Sequence, residues 1–357
     1  MTTFDSELGD FSADTRLLVT GASGFIGSRL ALHAHRLGLD VLATGRADME
    51  AEQDRLKELR AAKVPVEIGM LQDVDFVRRI VSGRSAVIHL AAAQHESEMP
   101  DSYFRSVNVD AVRLLLAACK DSGVRRFVYG STMGVYGSAR AGVLDEDTPP
   151  APDNIYTCTK LEAEALVRSC ADDFEVCVAR IAETYGPGDQ RLLKLFRGLD
   201  RGRFLMIGRG ENLRQCIHVH DLIRGLLLVA RHPEAAGQTF VLAGQKAMTT
   251  NEMVQGIAAA LDRAPPLVRL PLWPFAIASR IMEAILPPLR IQPPLHSRRL
   301  DFFRKSFSFS IAKAQTLLGF QPEIDFRAGA ADTVRWYRAH GLLTSSPRAE
   351  IARTESV

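Results

Sequence analysis

The sequence predicts an α/β protein with a doubly wound parallel sheet and a smaller carboxyl-terminal α/β part. Three observations predict it. A strand-like apolar run, Leu17-Leu18-Val19, feeds a glycine-rich turn and then a helical run. Strand-like and helical runs then alternate as far as about residue 185, the pattern of a parallel sheet covered on both faces. Beyond that point most of the prolines appear, among several short helical runs. A chain of 357 residues, 46% of them hydrophobic, can bury a sizeable core in one or two domains.

Taken in order, residues 1–14 are polar and acidic, lack the apolar core of a signal peptide, and are expected to form a loose extension. The turn is Thr20-Gly21-Ala22-Ser23-Gly24-Phe25-Ile26-Gly27, and the helix after it runs to Leu37 and stops at Gly38. Strand, glycine turn and helix together open a Rossmann dinucleotide-binding fold, here with GxxGxxG spacing. Val41-Leu42-Ala43-Thr44 is the second strand and ends at Gly45-Arg46. Residues 64–68, 86–90, 126–129 and 175–181 read as the third to sixth strands, with helices at 102–121 and 154–170 among them. Residues 15–185 are therefore expected to form the NAD(P)-binding domain. A return segment near 217–243 enters through His218-Val219-His220-Asp221-Leu222. Residues 186–344 are expected to be mainly a substrate domain, with helices at 251–261 and 328–340, and 345–357 a loose tail.

Composition narrows the function. A net charge of +2, with no basic run, gives no case for nucleic acid. Five cysteines with no CxxC pair suggest neither zinc nor a redox centre, so reduced thiols and a cytoplasmic, metal-free protein are expected. The most apolar stretch, 272–289, is broken by Arg280, Glu283 and prolines, so no transmembrane segment is expected.

The chemistry starts at the turn. Its glycines let the chain bend sharply, let backbone approach a pyrophosphate, and let the helix pack on the strand. Free N–H groups and the helix dipole favour phosphate there. Gly21, Ser23, Gly24, Phe25, Ile26 and Gly27 are thus the expected cofactor cradle. A second signal is Tyr156-Thr157-Cys158-Thr159-Lys160, whose tyrosine and lysine share one helix face. A protonated lysine beside a phenol favours the phenolate, which can take a proton from an alcohol or return one to a ketone. Thr132 stands just past the fifth strand, where ligands of such sheets bind.

These features together resemble the extended short-chain dehydrogenase/reductase family. That family includes the NAD-dependent epimerases and dehydratases of nucleotide sugars and the 3β-hydroxysteroid dehydrogenases. The resemblance covers about residues 16–343. It rests on the glycine turn, His89-Leu90-Ala91-Ala92, Ser131-Thr132 before Val135-Tyr136-Gly137, the Tyr156/Lys160 pair, and Tyr185-Gly186-Pro187-Gly188. It implies that Thr132 orients the substrate oxygen, that Tyr156 is the acid/base, and that Lys160 also holds the nicotinamide ribose. It makes Asn108 a residue that shapes the site, Leu90, Ala91 and Ala92 part of the cofactor site, and the helices at 102–121 and 154–170 a homodimer interface.

Departures from the family pattern refine the expectation. Sugar 4,6-dehydratases of this family carry an Asp-Glu pair directly after the catalytic threonine. Met133 and Gly134 stand there and can supply neither acid nor base, so a dehydratase is not expected. The acid that NAD-preferring members place at the end of the second strand is replaced by Gly45, with Arg46 next. A guanidinium suits a 2′-phosphate, so NADP is favoured over NAD. Met70 replaces an aspartate that contacts adenine, which leaves Leu71 or backbone to do so.

Arg214 lies in the segment where nucleotide-sugar enzymes grip the substrate diphosphate, and Arg298 matches a second such arginine roughly. Surface salt bridges are the alternative for both. His95 and Glu96 follow the fourth strand and face the expected pocket; His95 is a candidate substrate contact, and solvated loop residues are the favoured alternative for both. A hydride moved at a secondary alcohol or ketone carbon of a nucleotide sugar is the favoured function. The stretch 272–295, with Trp273, Phe275, Ile277, Ile281 and Met282, resembles instead the 3β-hydroxysteroid branch and favours an apolar substrate. A non-catalytic NADP-sensing module is the third reading, which the Thr132/Tyr156/Lys160 set argues against.

Overall fold

The computed structural model describes residues 11, 14–94, 99–137, 142–266, 268–285 and 297–344. Its centre is a seven-stranded parallel sheet. The strands are β1 (Arg16–Thr20), β2 (Asp40–Gly45), β3 (Val66–Ile68), β4 (Ala86–His89), β5 (Arg126–Thr132), β6 (Glu175–Ile181) and β7 (Thr239–Leu242). Their spatial order is β7-β6-β5-β4-β1-β2-β3. The order reverses between β1 and β4, and the crevice outside their carboxyl ends is where such sheets take ligands. Near-continuous apolar runs build the strands because both faces are covered: Leu17, Leu18 and Val19 are fully buried, as are Val87 and Ile88.

The sequence expectations hold for the first six strands, with two informative differences. β5 continues three residues past Tyr129 by pairing with β6, Thr132 opposite Ile181, so the candidate threonine stands at the strand's last position. β7 was not recognised as a strand. It pairs with β6 through Thr239 to Leu242 and brings the return segment into the sheet edge.

The helix expected at 102–121 is three pieces: Asp101–Arg105, a wider π-helical turn over Ser106–Asp110, and Ala111–Asp121. The wide turn has a cause. Asn108 is buried, its Oδ1 accepts from the Ala93 N–H at 2.8 Å, and its Nδ2 donates to the Ala93 carbonyl and to Thr159 Oγ1, both at 3.0 Å. This ties the loop after β4 to the helix that carries Tyr156.

Other helices used below are α1 (Phe25–Arg36), α2 (Glu50–Ala61), α3 (Ile155–Arg168), α4 (Val219–Arg231) and α5 (Leu272–Ile285). Residues from Tyr185 onward build a separate core that includes Phe196, Met253, Ile257, Val334 and Tyr337. The segments expected to be loose, 1–14 and 345–357, lie outside the described residues except for Phe11 and Asp14. No described helix is long and apolar enough to cross a membrane. All five cysteines are free; Cys119, Cys177 and Cys216 are buried, whereas Cys158 is exposed.

Candidate active site

The glycine turn forms one wall of a cleft at the β1/β4 switch point. Gly21, Ser23, Gly24, Arg46, Met70, Leu71, Leu90, Ala91 and Ala92 all line it. Phe25, Ile26 and Gly27 form the first turn of α1, directly after the Gly24 cap. Gly21 has φ +70°, and a Cβ there would lie 2.6 Å from the Ala91 nitrogen, so only glycine lets the two loops meet. A Cβ on Gly27 would lie 2.3 Å from the Gly21 carbonyl oxygen, which is the close helix-to-turn packing expected of the third glycine.

The residues fit a dinucleotide. The first turn of α1 opens on Gly24 with no side-chain cap, so backbone donors remain for an anion. Arg55 of α2 bonds the Ser23 carbonyl at 3.2 Å; burial, then the nearby Arg29 charge, pushes its pKa down. Arg29 is paired with Glu58 at 2.6 Å, whereas Arg55 meets the backbone carbonyls of Ser23 and Gly188. Just past β2, the Arg46 backbone N–H donates to Ser23 Oγ at 3.1 Å. Its guanidinium bonds Asp48 and, at 2.8 Å, the Tyr103 hydroxyl. Tyr103 also lines the cleft, and Met70 is 56% exposed at its rim.

His89, at the end of β4, packs between β1 and β5. It is fully buried, its Nδ1 lies 2.8 Å from Thr20 Oγ1 across the switch point, and it stacks on Phe127 and Tyr129. Burial and then the Lys160 charge lower its pKa to about 3, so it stays neutral.

Thr132 ends β5; its Oγ1 accepts the Gly134 N–H at 3.1 Å and its hydroxyl bonds the Tyr156 phenol. Tyr156 is in the first turn of α3, whose N-terminus is fixed by Asn154 and Thr157 in a reciprocal capping box. Burial raises the Tyr156 pKa to about 12, against the favourable effects of the Thr132 hydroxyl and the Arg191 charge. Lys160, one turn on, is 2% exposed, with its Nζ 4.2 Å from the Tyr129 ring centroid. Burial lowers its pKa to about 7, against the pull of Glu164. Arg191, paired with Asp189 at 3.3 Å, is the charge that favours the Tyr156 phenolate.

Three positions missed by sequence reasoning support this group. Glu164 follows Lys160 at the next i+4 position on the same face of α3 and is fully buried. It accepts from Ser131 Oγ at 2.5 Å and pairs with Arg180 of β6 at 2.9 Å and with Arg168 at 2.7 Å. Arg180 in turn donates to the Tyr136 hydroxyl at 2.8 Å. The spacing Tyr156, Lys160, Glu164, Arg168 was a readable signal, as was one arginine inside the apolar run of β6. Arg191 carried no such signal.

On the substrate side, Arg214 is not a free cation. It pairs with Glu183, with Nε 3.1 Å from Oε2, donates to the Phe302 carbonyl at 3.2 Å, and lies 4.4 Å over the Phe302 ring. Arg298 is placed on the helix Ser297–Arg304. His95 and Glu96 lie outside the described residues. Among the described residues no cluster of three His, Cys, Asp or Glu could hold a metal ion.

Comparison with known proteins agrees with this geometry. Residues 17–243 match the model of the NAD dependent epimerase/dehydratase family. The chain is 30% identical over 341 residues to a dTDP-glucose 4,6-dehydratase of Streptomyces griseus, covering 91% of this chain and 95% of that one. It is 28% identical to a 3 beta-hydroxysteroid dehydrogenase/Delta 5-->4-isomerase of Mycobacterium tuberculosis, covering 92% and 93%. The crystal structure of DesIV, a dTDP-glucose 4,6-dehydratase of Streptomyces venezuelae with NAD bound, superposes with a TM-score of 0.73 at 26% identity, covering 92% and 99%.

The exclusion of dehydratases drawn from Met133 and Gly134 does not stand. Relatives of that name recur at 30% identity over nine-tenths of this chain. Two side chains judge only their own positions, and the site holds other titratable groups, Glu183 among them. The matched length, the shared architecture and the glycine cleft agree on one assignment: this chain is a member of the NAD dependent epimerase/dehydratase family, within the extended short-chain dehydrogenase/reductases.

Proposed function

We propose that the protein moves a hydride at a secondary alcohol or ketone carbon of a nucleotide sugar, with Tyr156 as acid/base. The observation that carries this is the Thr132 hydroxyl against Tyr156, one helical turn from Lys160, on a helix that Asn108 ties through Thr159 to Ala93 of the cleft wall. The dTDP-glucose enzymes among its relatives support the substrate class. A bound nicotinamide dinucleotide supplies or accepts the hydride. Thr132 orients the substrate oxygen. Tyr156 keeps its proton at neutral pH, since its pKa is raised to about 12, and is ready to give it to a ketone oxygen. In the reverse direction Arg191 favours the phenolate that takes the alcohol proton. Lys160 holds the nicotinamide ribose, and Arg214 the substrate diphosphate. In this reading residues 186–344 are the substrate-binding part, 15–185 with the return segment the cofactor-binding part, and the helices near 102–121 and 154–170 pair two copies.

NADP is the favoured cofactor, because Arg46 lines the adenosine end of the cleft where a 2′-phosphate would sit. A second reading, an apolar substrate, has one specific observation in its favour. On α5 Trp273, Ile277, Ile281 and Ile285 are 67%, 51%, 52% and 56% exposed at i+4 spacing, an apolar stripe at the substrate side. The test is turnover of UDP-glucose, dTDP-glucose and a sterol with NAD⁺ and NADP⁺, in wild type and Tyr156→Phe. Nucleotide-sugar turnover that the variant loses supports the proposal. Turnover of the sterol alone would replace it with the second reading.

A further inference from the structure

Glu183 stands two residues past the end of β6, and β6 ends opposite Thr132. Its carboxylate meets Arg214, with Nε 3.1 Å from Oε2, and the Cys216 Sγ lies 3.6 Å from the same oxygen. The side chains of Glu183 and Arg214 are 29% and 14% exposed, so the pair is partly open to a ligand. Arg214 does not need the acid to stay in place, because the Phe302 ring and carbonyl also hold it. A carboxylate held on a guanidinium occupies the kind of place a phosphate oxygen takes.

We propose that Glu183 is the resident counter-ion of the diphosphate site and limits how tightly that site binds nucleoside diphosphates. The inference rests on the nucleotide-sugar reading and deepens it. A diphosphate approaching Arg214 must displace one carboxylate oxygen and then stand beside a like charge, so each costs affinity. The acid thereby selects against bare diphosphates and favours ligands whose sugar hydroxyls donate to the displaced carboxylate.

Calorimetric titration of the full chain with UDP, dTDP and UDP-glucose tests this, in wild type, Glu183→Gln and Glu183→Ala. Both variants should bind UDP or dTDP about three- to fivefold more tightly, the range of a partly exposed ion pair. UDP-glucose should gain less than UDP in Glu183→Ala, which has lost the acceptor. The alanine variant guards against a glutamine that distorts the loop, and thermal melts report folding of each. Wild-type binding that both variants leave unchanged or weaken overturns the inference alone. No binding of any of the three ligands to wild type or variants overturns the nucleotide-sugar reading, and the inference falls with it.

Discussion

The carboxylate of Glu164 lies 2.9 Å from the Arg180 guanidinium, in fully buried space between the helix that carries Tyr156 and the strand that neighbours Thr132. Glu164 also accepts from Ser131, the residue before Thr132. One acid thus ties together the elements carrying the two hydroxyls, and their separation depends on it.

Removing one partner leaves the other charge buried and uncompensated. Glu164→Ala should therefore cost about 3–5 kcal/mol of unfolding free energy, measured by urea denaturation. The pH dependence has a definite sign. Burial would raise the Glu164 pKa, but Arg180, Ser131 and Arg168 outweigh it and hold it below its ordinary value. An acid lowered on folding stabilises the protein above its unfolded value, about 4.3, and loses that contribution as pH falls through the folded value. Glu164→Gln should flatten the acid limb of the stability curve, and an unchanged limb would remove the pair from this role.

Tyr156→Phe keeps the ring in its packing and removes only the transferable proton. Turnover should fall at least about a hundredfold, while the dissociation constant for the dinucleotide stays within about twofold. A variant that keeps more than about a tenth of the wild-type rate takes Tyr156 out of the acid/base role.

Much of this site was legible in the sequence because it is local. The turn 20–27 is one contiguous stretch, and Tyr156 and Lys160 are one helical turn apart, so spacing alone placed them. Arg46 follows the second strand directly and does line the cleft. What was missed is tertiary. Glu183 meets Arg214 from 31 residues away, an approach no periodicity encodes, and reads in isolation as an ordinary loop acid. β7 is only four residues long and becomes a strand by pairing with β6. The π-helical turn at Asn108 follows from bonds to Ala93 and Thr159, remote in sequence from it.

Lys160 is held at a cost to stability. Its pKa falls to about 7 from the ordinary value near 10.4, chiefly through burial. Between those two values the unfolded chain binds the extra proton, so stability should rise with pH across that window, by up to about 1.4 kcal/mol per pH unit. Lys160→Met keeps the length and removes the charge. It should be more stable than wild type at pH 7, show a flatter rise up to pH 10, and be inactive. Denaturant midpoints at pH 7, 8.5 and 10 measure this; parallel curves for the two proteins would mean that the amine is not desolvated.

If NADP is the cofactor, its preference turns on Arg46, with Gly45 before it and Asp48 and Tyr103 bonded to it. No acid can take the place of Gly45 at the end of β2, because a Cβ there would lie 2.5 Å from Ser23 Oγ and 2.7 Å from the Ser23 nitrogen. The absence of the NAD-type acid is thus a consequence of how the glycine turn packs on β2, and Gly45→Ala should weaken NAD⁺ and NADP⁺ binding alike. The discriminating charge is Arg46, which Asp48 already engages at 2.6 Å while Tyr103 holds its other edge. A 2′-phosphate must compete with Asp48, in a position 41% exposed for the arginine, so the preference for NADP⁺ should be only about tenfold. Arg46→Ala should abolish it by weakening NADP⁺ and sparing NAD⁺. Asp48→Asn should increase it, since the guanidinium then loses its competing anion. Dissociation constants for both dinucleotides at one fixed salt concentration decide the matter. Equal or tighter NAD⁺ binding in the wild type would assign Arg46 to a structural pair with Asp48 and leave the ribose to be read by other groups.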